Sequence, residues 1–312
     1  MDAVTLSAEQ IRDAVSIKDA IAAVRAGFVS LARGEFEMPT RTALRGGQFL
    51  VMSVHHAPTA SAMIKTLSLN FSGRQPAIVG TVTWSELQHT GHVVADAAAV
   101  TALRTGAASG VATDLLARPD ACSLTVIGAG AQAPDQIRAV NAVRPLSGIT
   151  VVDHATEPAE ALATQIAEEL PGLDIGVATD ADTAVGGADI VCCATTSTEP
   201  LFALESLRRD VHVNAIGAFR PSMRELPDDL LADAGAVYVD EKEAVLEESG
   251  EIIHALQAGA ITEAALTEIG PALDAGTPVR SGRTVFKTVG VAMQDWAIAR
   301  LLADRLLTDH AG

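Results

Sequence analysis

The chain has 312 residues, enough for a sizeable core and about two domains. Hydrophobic residues make up 48% and charged residues 20%, which is a globular composition and not a disordered one. A formal net charge of -17 and a pI near 4.8 speak against a nucleic-acid or anionic-membrane surface, because either needs clustered Lys and Arg.

From the N-terminus, Ile11, Val15, Ile17, Ile21, Val24, Phe28 and Leu31 recur at helical spacing, which predicts one helix over 8–33 closed by Gly34. Strands are expected over 49–54, 62–69, 78–84 and 93–95, so the first 100 residues read as α+β with an antiparallel sheet. The Ala-, Leu- and Val-rich stretch 99–117 predicts a long helix leading into a second domain. Strands near 124–127, 149–153, 174–178, 189–194, 211–216 and 236–239 then alternate with helical patterns, the mark of a parallel, doubly wound sheet. After Pro278, residues 284–290 lead into a last helix, 291–307, expected to fold back onto the N-terminal domain.

Cys122, Cys192 and Cys193 are too few for a disulfide framework, and Cys192-Cys193 lies in an apolar strand where the two thiols point to opposite faces. Reduced core thiols are expected, and with them a cytoplasmic protein. Asp2, Glu9 and Asp13 interrupt any signal-like run, and no stretch reaches the roughly 18 apolar residues of a membrane span.

Ser123 to Ile127 followed by Gly128-Ala129-Gly130-Ala131-Gln132-Ala133 reads as strand, tight turn and helix in the pattern G-x-G-x-x-A. Gly128 permits the turn, Gly130 lets backbone approach a pyrophosphate, and Ala133 allows close helix packing. The helix N-terminus then offers N–H groups and a favourable dipole to the phosphates. Asp153 ends the next strand, near the spacing of about 20 residues at which an acid meets the ribose hydroxyls.

Lys65 interrupts an apolar strand and is either a solvent-facing edge residue or a placed amine. With Arg41 and Arg104 it makes a cationic set suited to a small carboxylate. The stretch from Val213 to Leu226 leaves a strand at the carboxyl end of the sheet, where Arg220 or Arg224 could meet substrate. Arg224 and Glu225 equally fit a charge pair in the first turn of a following helix. His55-His56 and His89 with His92 lack ligand spacing for a metal, and Ser109 lacks the frame of a nucleophile elbow.

Taken together, Met38-Pro39-Thr40-Arg41, Lys65, Thr101 to Ala107, the glycine turn, Gly217 to Leu226 and Thr284 to Gly290 make the chain resemble the ornithine cyclodeaminase/mu-crystallin family over essentially its whole length. The resemblance implies a homodimer with two domains. One, expected over 1–116 and 287–312, binds substrate and dimerises; the other, over 117–286, is a Rossmann domain for NAD. It implies that Arg41 and Arg104 hold a substrate carboxylate, that Lys65 is the active-site lysine, and that Thr81, Phe219 and Arg220 face the substrate. Gly128, Gly130, Ala131, Gln132, Asp153, Thr195, Gly217 and Lys287 are the implied NAD contacts.

One departure bears on activity. Cyclodeaminases of the family carry an aspartate where Phe219 stands, whereas its reductase members keep the Arg-Pro seen here as Arg220-Pro221. The expected activity is therefore NAD(P)H-dependent reduction of a C=N bond in a small imino carboxylate, or the reverse oxidation. An ornithine- or lysine-type cyclodeaminase, an opine-type dehydrogenase and a nucleotide-gated binding protein are the alternatives. Asp153, followed by His154 and Glu157 with no arginine, favours NAD over NADP.

Overall fold

The computed structural model describes residues 3–70, 76–88, 90–276 and 282–307, so His89 and Pro278 lie outside the described residues. In chain order the elements begin with β1 (Ala3–Leu6), α1 (Ala8–Ala14), α2 (Ile17–Ala32), β2 (Phe36–Glu37), β3 (Thr42–Leu44), β4 (Phe49–His56), β5 (Ser61–Leu69), β6 (Ile78–Glu86), β7 (His92–Asp96) and α3 (Ala97–Leu116). They continue with β8 (Ser123–Ile127), α4 (Ala133–Val143), β9 (Gly148–Val152), α5 (Thr156–Glu169), β10 (Asp174–Ala178), α6 (Ala181–Val185), β11 (Ile190–Cys193) and β12 (His212–Ala215). The last are α7 (Asp228–Asp233), β13 (Ala236–Val239), α8 (Lys242–Glu248), α9 (Gly250–Gln257), β14 (Leu266–Glu268), α10 (Ile269–Ala275), β15 (Thr284–Lys287) and α11 (Ala292–Leu306). Two compact units result, 1–108 with 292–312 and 109–291, the first division falling inside α3.

In the first unit the strands run β1-β7-β6-β5-β4-β2, with β3 beside β4. The sheet is antiparallel except at its edge, where β1, a strand the sequence reading lacked, pairs parallel with β7. The expected helix over 8–33 is two helices. Val15 and Ser16 are extended, and the Ser16 hydroxyl caps a fresh helix by accepting from the Asp19 N–H at 3.2 Å. Gly34, at φ +71°, ends α2 as expected.

Period 2 divides the residues of β5 between two faces. Met63, Lys65 and Leu67 are buried, while Ile64, Thr66 and Ser68 are exposed. α11 covers the buried face and α2 packs closely on α11: a Cβ at Gly27 would meet the Met293 sulfur at 2.3 Å.

In the second unit every neighbouring pair is parallel, in the order β10-β9-β8-β11-β12-β15-β13-β14. This is a Rossmann-type, doubly wound α/β sheet, with β15 as an added strand between β12 and β13. The chain winds one way from β8 to β9 and the other way to β11, so the carboxyl ends of β8 and β11 form the switch point where such sheets bind ligands. Apolar clusters cover both faces. Cys192 joins one, with Leu124, Val126 and Ile137, and Cys193 joins the other, with Val213, Val237 and Val285. Cys122 is exposed and not a core thiol, because it precedes β8 at the surface. No helix among the described residues is long and apolar enough to cross a membrane.

Candidate functional site

Lys65 is an interior residue of a central strand, not an edge residue, and only 1% of it is exposed. An ammonium withdrawn from water needs partners. Its Nζ donates to the Thr101 hydroxyl on α3 at 2.6 Å and to Asp295 Oδ1 on α11 at 2.7 Å. Arg104, one turn along α3 from Thr101, is also buried. It donates from Nη1 to Gln294 Oε1 at 2.7 Å, and its Nε lies 3.5 Å from Asp295 Oδ1.

Arg41, half-buried just before β3, lies close enough to act on Lys65 electrostatically. Burial draws the Lys65 amine down to about 8, with Asp295 opposing that fall and Arg104 and Arg41 adding to it. The predicted cationic set is thus gathered in the first unit.

Thr81 is not part of it. It sits opposite Thr66 in the register, with the two hydroxyls 3.3 Å apart on the exposed face, whereas Lys65 and its cross-strand neighbour Val82 are on the buried one. A one-residue offset on a strand reverses the face.

In the second unit the glycine turn fits a dinucleotide. Gly128 takes φ +98°, and a Cβ there would meet the Ala194 carbonyl oxygen at 2.6 Å. A Cβ at Gly130 would meet nothing within 4 Å, so the backbone of Gly130 and Ala131, both exposed, is open to a pyrophosphate; Gln132 is the half-buried N-cap of α4. Asp153 Oδ2 accepts the Ala129 N–H at 2.8 Å and Oδ1 the Ala155 N–H at 3.0 Å. Oδ1 also lies 2.9 Å from His154 Nδ1, so the carboxylate braces the turn while Oδ2 keeps a second lone pair for a ribose hydroxyl.

Glu225 was legible only as a surface charge pair, and the structure corrects that. It is fully buried and joins the two loops that leave β11 and β12. Its Oε1 accepts the Thr195 N–H at 2.6 Å and the Thr195 hydroxyl at 2.9 Å; its Oε2 accepts the Gly217 and Ala218 N–H groups at 2.8 and 3.1 Å. Burial raises its pKa, against the pull of Lys287. A Cβ at Gly217 would lie 2.2 Å from the Thr195 carbonyl oxygen, so only glycine allows this approach.

Arg224 pairs instead with Asp228 at 3.0 Å, and Arg220 lies over the Phe219 ring at 5.4 Å. Lys287, expected against the dinucleotide, is wholly buried; its ammonium is taken up by the Ala218 carbonyl at 2.6 Å and Glu251 at 2.8 Å. It supports the Gly217 loop from within, because β15 lies inside the sheet.

Sequence reasoning missed Asp295 and Glu225. The signal for Asp295 was the one that singled out Lys65, a charge among apolar residues, here in Ala292-Met293-Gln294-Asp295-Trp296-Ala297. No group of His, Cys, Asp and Glu among the described residues is arranged to hold a metal ion.

With this geometry in place, four likenesses bear on the chain. The model described as the Ornithine cyclodeaminase/mu-crystallin family matches residues 1–310. The Delta(1)-pyrroline-2-carboxylate reductase of Bacillus thuringiensis subsp. konkukian (strain 97-27) is 34% identical over an alignment of 325 positions that covers 98% of both chains. The L-lysine cyclodeaminase of Streptomyces rapamycinicus is 42% identical over 229 residues, 69% of this chain and 65% of that enzyme. Among solved structures, Thermococcus litoralis Delta(1)-pyrroline-2-carboxylate reductase in complex with NADH and L-proline superposes with a TM-score of 0.91 at 30% identity over 97% of each chain.

The Glu225 clamp makes a prediction that needs no ligand. Glu225→Ala strands four donors and should speed amide exchange at Thr195, Gly217 and Ala218 by at least about tenfold, equivalent to roughly 1.4 kcal/mol or more of local stability. Exchange rates equal to wild type, measured residue by residue, would show that Glu225 does not hold these loops.

Proposed function

The chain belongs to the ornithine cyclodeaminase/mu-crystallin family, and we propose that it reduces the C=N bond of a cyclic 2-imino carboxylate with NADH. The observation that carries this reading is the buried Lys65 amine, drawn to about 8 and set beside Arg104. An acid of that strength is mostly charged at neutral pH yet gives up its proton readily. Arg104 and Arg41 hold the carboxylate, fixing the adjacent imine. Lys65 donates a proton to the imine nitrogen, the nitrogen becomes an amine, and Lys65 is recharged from water. NADH supplies the hydride to the imine carbon. In the reverse direction neutral Lys65 takes the proton from the amine.

The first unit is assigned substrate binding and dimerisation, and the second, built around the Gly128 turn, the dinucleotide. Buried, unpaired Cys192 and Cys193 agree with a reducing, cytoplasmic setting.

The likeness to a lysine cyclodeaminase favours a second reading, in which ammonia is lost with no net redox change. Phe219 argues against it. Its ring packs against an apolar cluster of the second unit and under Arg220, so this position offers no carboxylate to orient and deprotonate a substrate amine.

A panel of cyclic imino carboxylates, with Δ1-pyrroline-2-carboxylate included, should give loss of absorbance at the nicotinamide band. Lys65→Met should lower kcat by about 10²–10⁴-fold while NADH still binds. Turnover of L-lysine or L-ornithine to ammonia with catalytic NAD, and none of the imines, would put the cyclodeaminase reading first.

Cofactor choice follows from Asp153, whose side chain is 13% exposed. A 2′-phosphate within about 4 Å would cost on the order of 4 kcal/mol per unit charge at an effective dielectric near 20, reduced by solvent. NADH should be preferred by about tenfold or more in kcat/KM, and Asp153→Ser with His154→Arg should narrow the gap. Equal use of NADPH by the wild type would refute the role given to Asp153.

The open face of the first sheet points to a homodimer. Register aligns Leu44, Phe49, Ser68 and Val79 in one row and Ser53, Ile64 and Thr83 in another, and Phe49, Ile64 and Val79 are 44%, 50% and 56% exposed. An apolar sheet face of this kind is an interface in waiting. Light scattering at micromolar concentration should give twice the mass of the chain, and Ile64→Lys should shift the protein toward monomer. A monomeric wild type would dispose of the assignment.

A further inference from the structure

Asp295 has no part in any sequence motif, yet it is the only carboxylate among the described residues within reach of the buried Lys65. It lies in the first turn of α11, where the helix N-terminus favours negative charge, and it is wholly buried. Oδ1 receives the Lys65 ammonium at 2.7 Å and lies 3.5 Å from Arg104 Nε. Oδ2 has no hydrogen-bond partner among the described residues. The neighbouring Gln294 accepts from Arg104, so one turn of the C-terminal helix grips both cations through side chains the sequence sets side by side.

Building on the reductase reading, we propose that Asp295 is the positioning residue of the reaction: it keeps Lys65 charged and fixes its Nζ so that a proton is ready for the imine nitrogen. Geometry and charge both require such a group. Burial opposes the ammonium, and Arg104 and Arg41 repel it; among the described residues Asp295 is the charged neighbour that favours it. Thr101 accepts one N–H without altering that charge balance, since its own hydroxyl proton goes to the Ala97 carbonyl. Two of the three ammonium protons are thereby committed to fixed acceptors, and the third direction is set by them. Asp295 itself need not touch the substrate.

The sign of the effect follows. Without the carboxylate the Lys65 midpoint falls, so less proton donor exists at any pH above the new midpoint. The alkaline limb of the reduction rate therefore moves to lower pH, while the rate well below both midpoints is little changed. In the oxidative direction, where neutral lysine is required, activity extends to lower pH.

The test uses Asp295→Asn, which keeps an acceptor oxygen and removes the charge. The chain has four lysines, Lys18, Lys65, Lys242 and Lys287, so the Lys65 amine can be titrated directly by NMR of lysine-labelled protein, assigned with Lys65→Met. The expected result is a midpoint lowered by at least about one unit, toward the value of about 5–6 documented for buried lysines without a partner. The alkaline limb of kcat for reduction of Δ1-pyrroline-2-carboxylate should move by the same amount, with the affinity for NADH within about twofold of wild type. A uniform loss of rate with an unmoved limb, or an unmoved NMR midpoint, overturns the proposal.

Should the variant not fold, the wild-type titration decides. A midpoint near 8 supports the carboxylate's hold on the ammonium, and one near 5–6 overturns it. If the wild type reduces none of the imines, the reductase reading falls, while the NMR titration still decides whether Asp295 holds the charge on Lys65.

Discussion

A lysine ammonium cannot be moved out of water unless something in the protein replaces the water, and much of the first unit is arranged to do so. The alternation of β5 drives Lys65 to the covered face along with Met63 and Leu67. Once there, the amine needs acceptors, and they come from two helices distant in sequence, Thr101 on α3 and Asp295 on α11. The C-terminal helix thus supplies polar partners as well as apolar cover. Its apolar side packs on α2, where Gly27 leaves room for Met293. Removing Lys65 or Asp295 alone leaves an uncompensated buried charge, the most expensive outcome available to such a pair.

The second unit solves a related problem with the opposite charge. Loops at the carboxyl ends of a parallel sheet carry N–H groups that no strand can satisfy. Glu225 collects those of Thr195, Gly217 and Ala218, and Asp240, also buried, collects those of Val289 and Gly290 at 3.1 and 2.9 Å. Carboxylates suit the task because each oxygen accepts two hydrogen bonds, so one side chain can tie loops from different strands. Lys287, itself paired with Glu251, then balances Glu225 from beneath. The Gly217 loop is consequently held in place before any ligand arrives.

How much of this was legible depended on whether the relevant physics is local. The strand, glycine turn and helix at Ser123–Val143 are set by neighbours in sequence, and so are the alternation around Lys65 and the end of α2 at Gly34. The break at Ser16 was missed because the apolar spacing runs through it unchanged, and only the capping hydroxyl marks the restart. Thr81 was misplaced because a strand face turns on a single residue of register. Asp295 and Glu225 were out of reach for another reason. Lys65 lies 230 residues from Asp295 and Thr195 lies 30 from Glu225, and nothing in the local pattern says which face of which element they will meet.

Charge separates the working cluster from the supporting one. Among the described residues, the charged groups that act most on Lys65 are the carboxylate of Asp295 and the guanidinium groups of Arg104 and Arg41. With Lys65 itself they gather three cations in a protein whose net charge is -17. Guanidinium groups offer a carboxylate bidentate geometry that a lone ammonium does not. Around Lys287, by contrast, Glu251 and the Ala218 carbonyl take up the ammonium, while backbone N–H groups and the Thr195 hydroxyl surround Glu225. Lys65 and Lys287 are both lysines on interior strands, each with a buried carboxylate. The first stands beside guanidinium groups that we assign to an anionic substrate; the second holds the Gly217 loop from within.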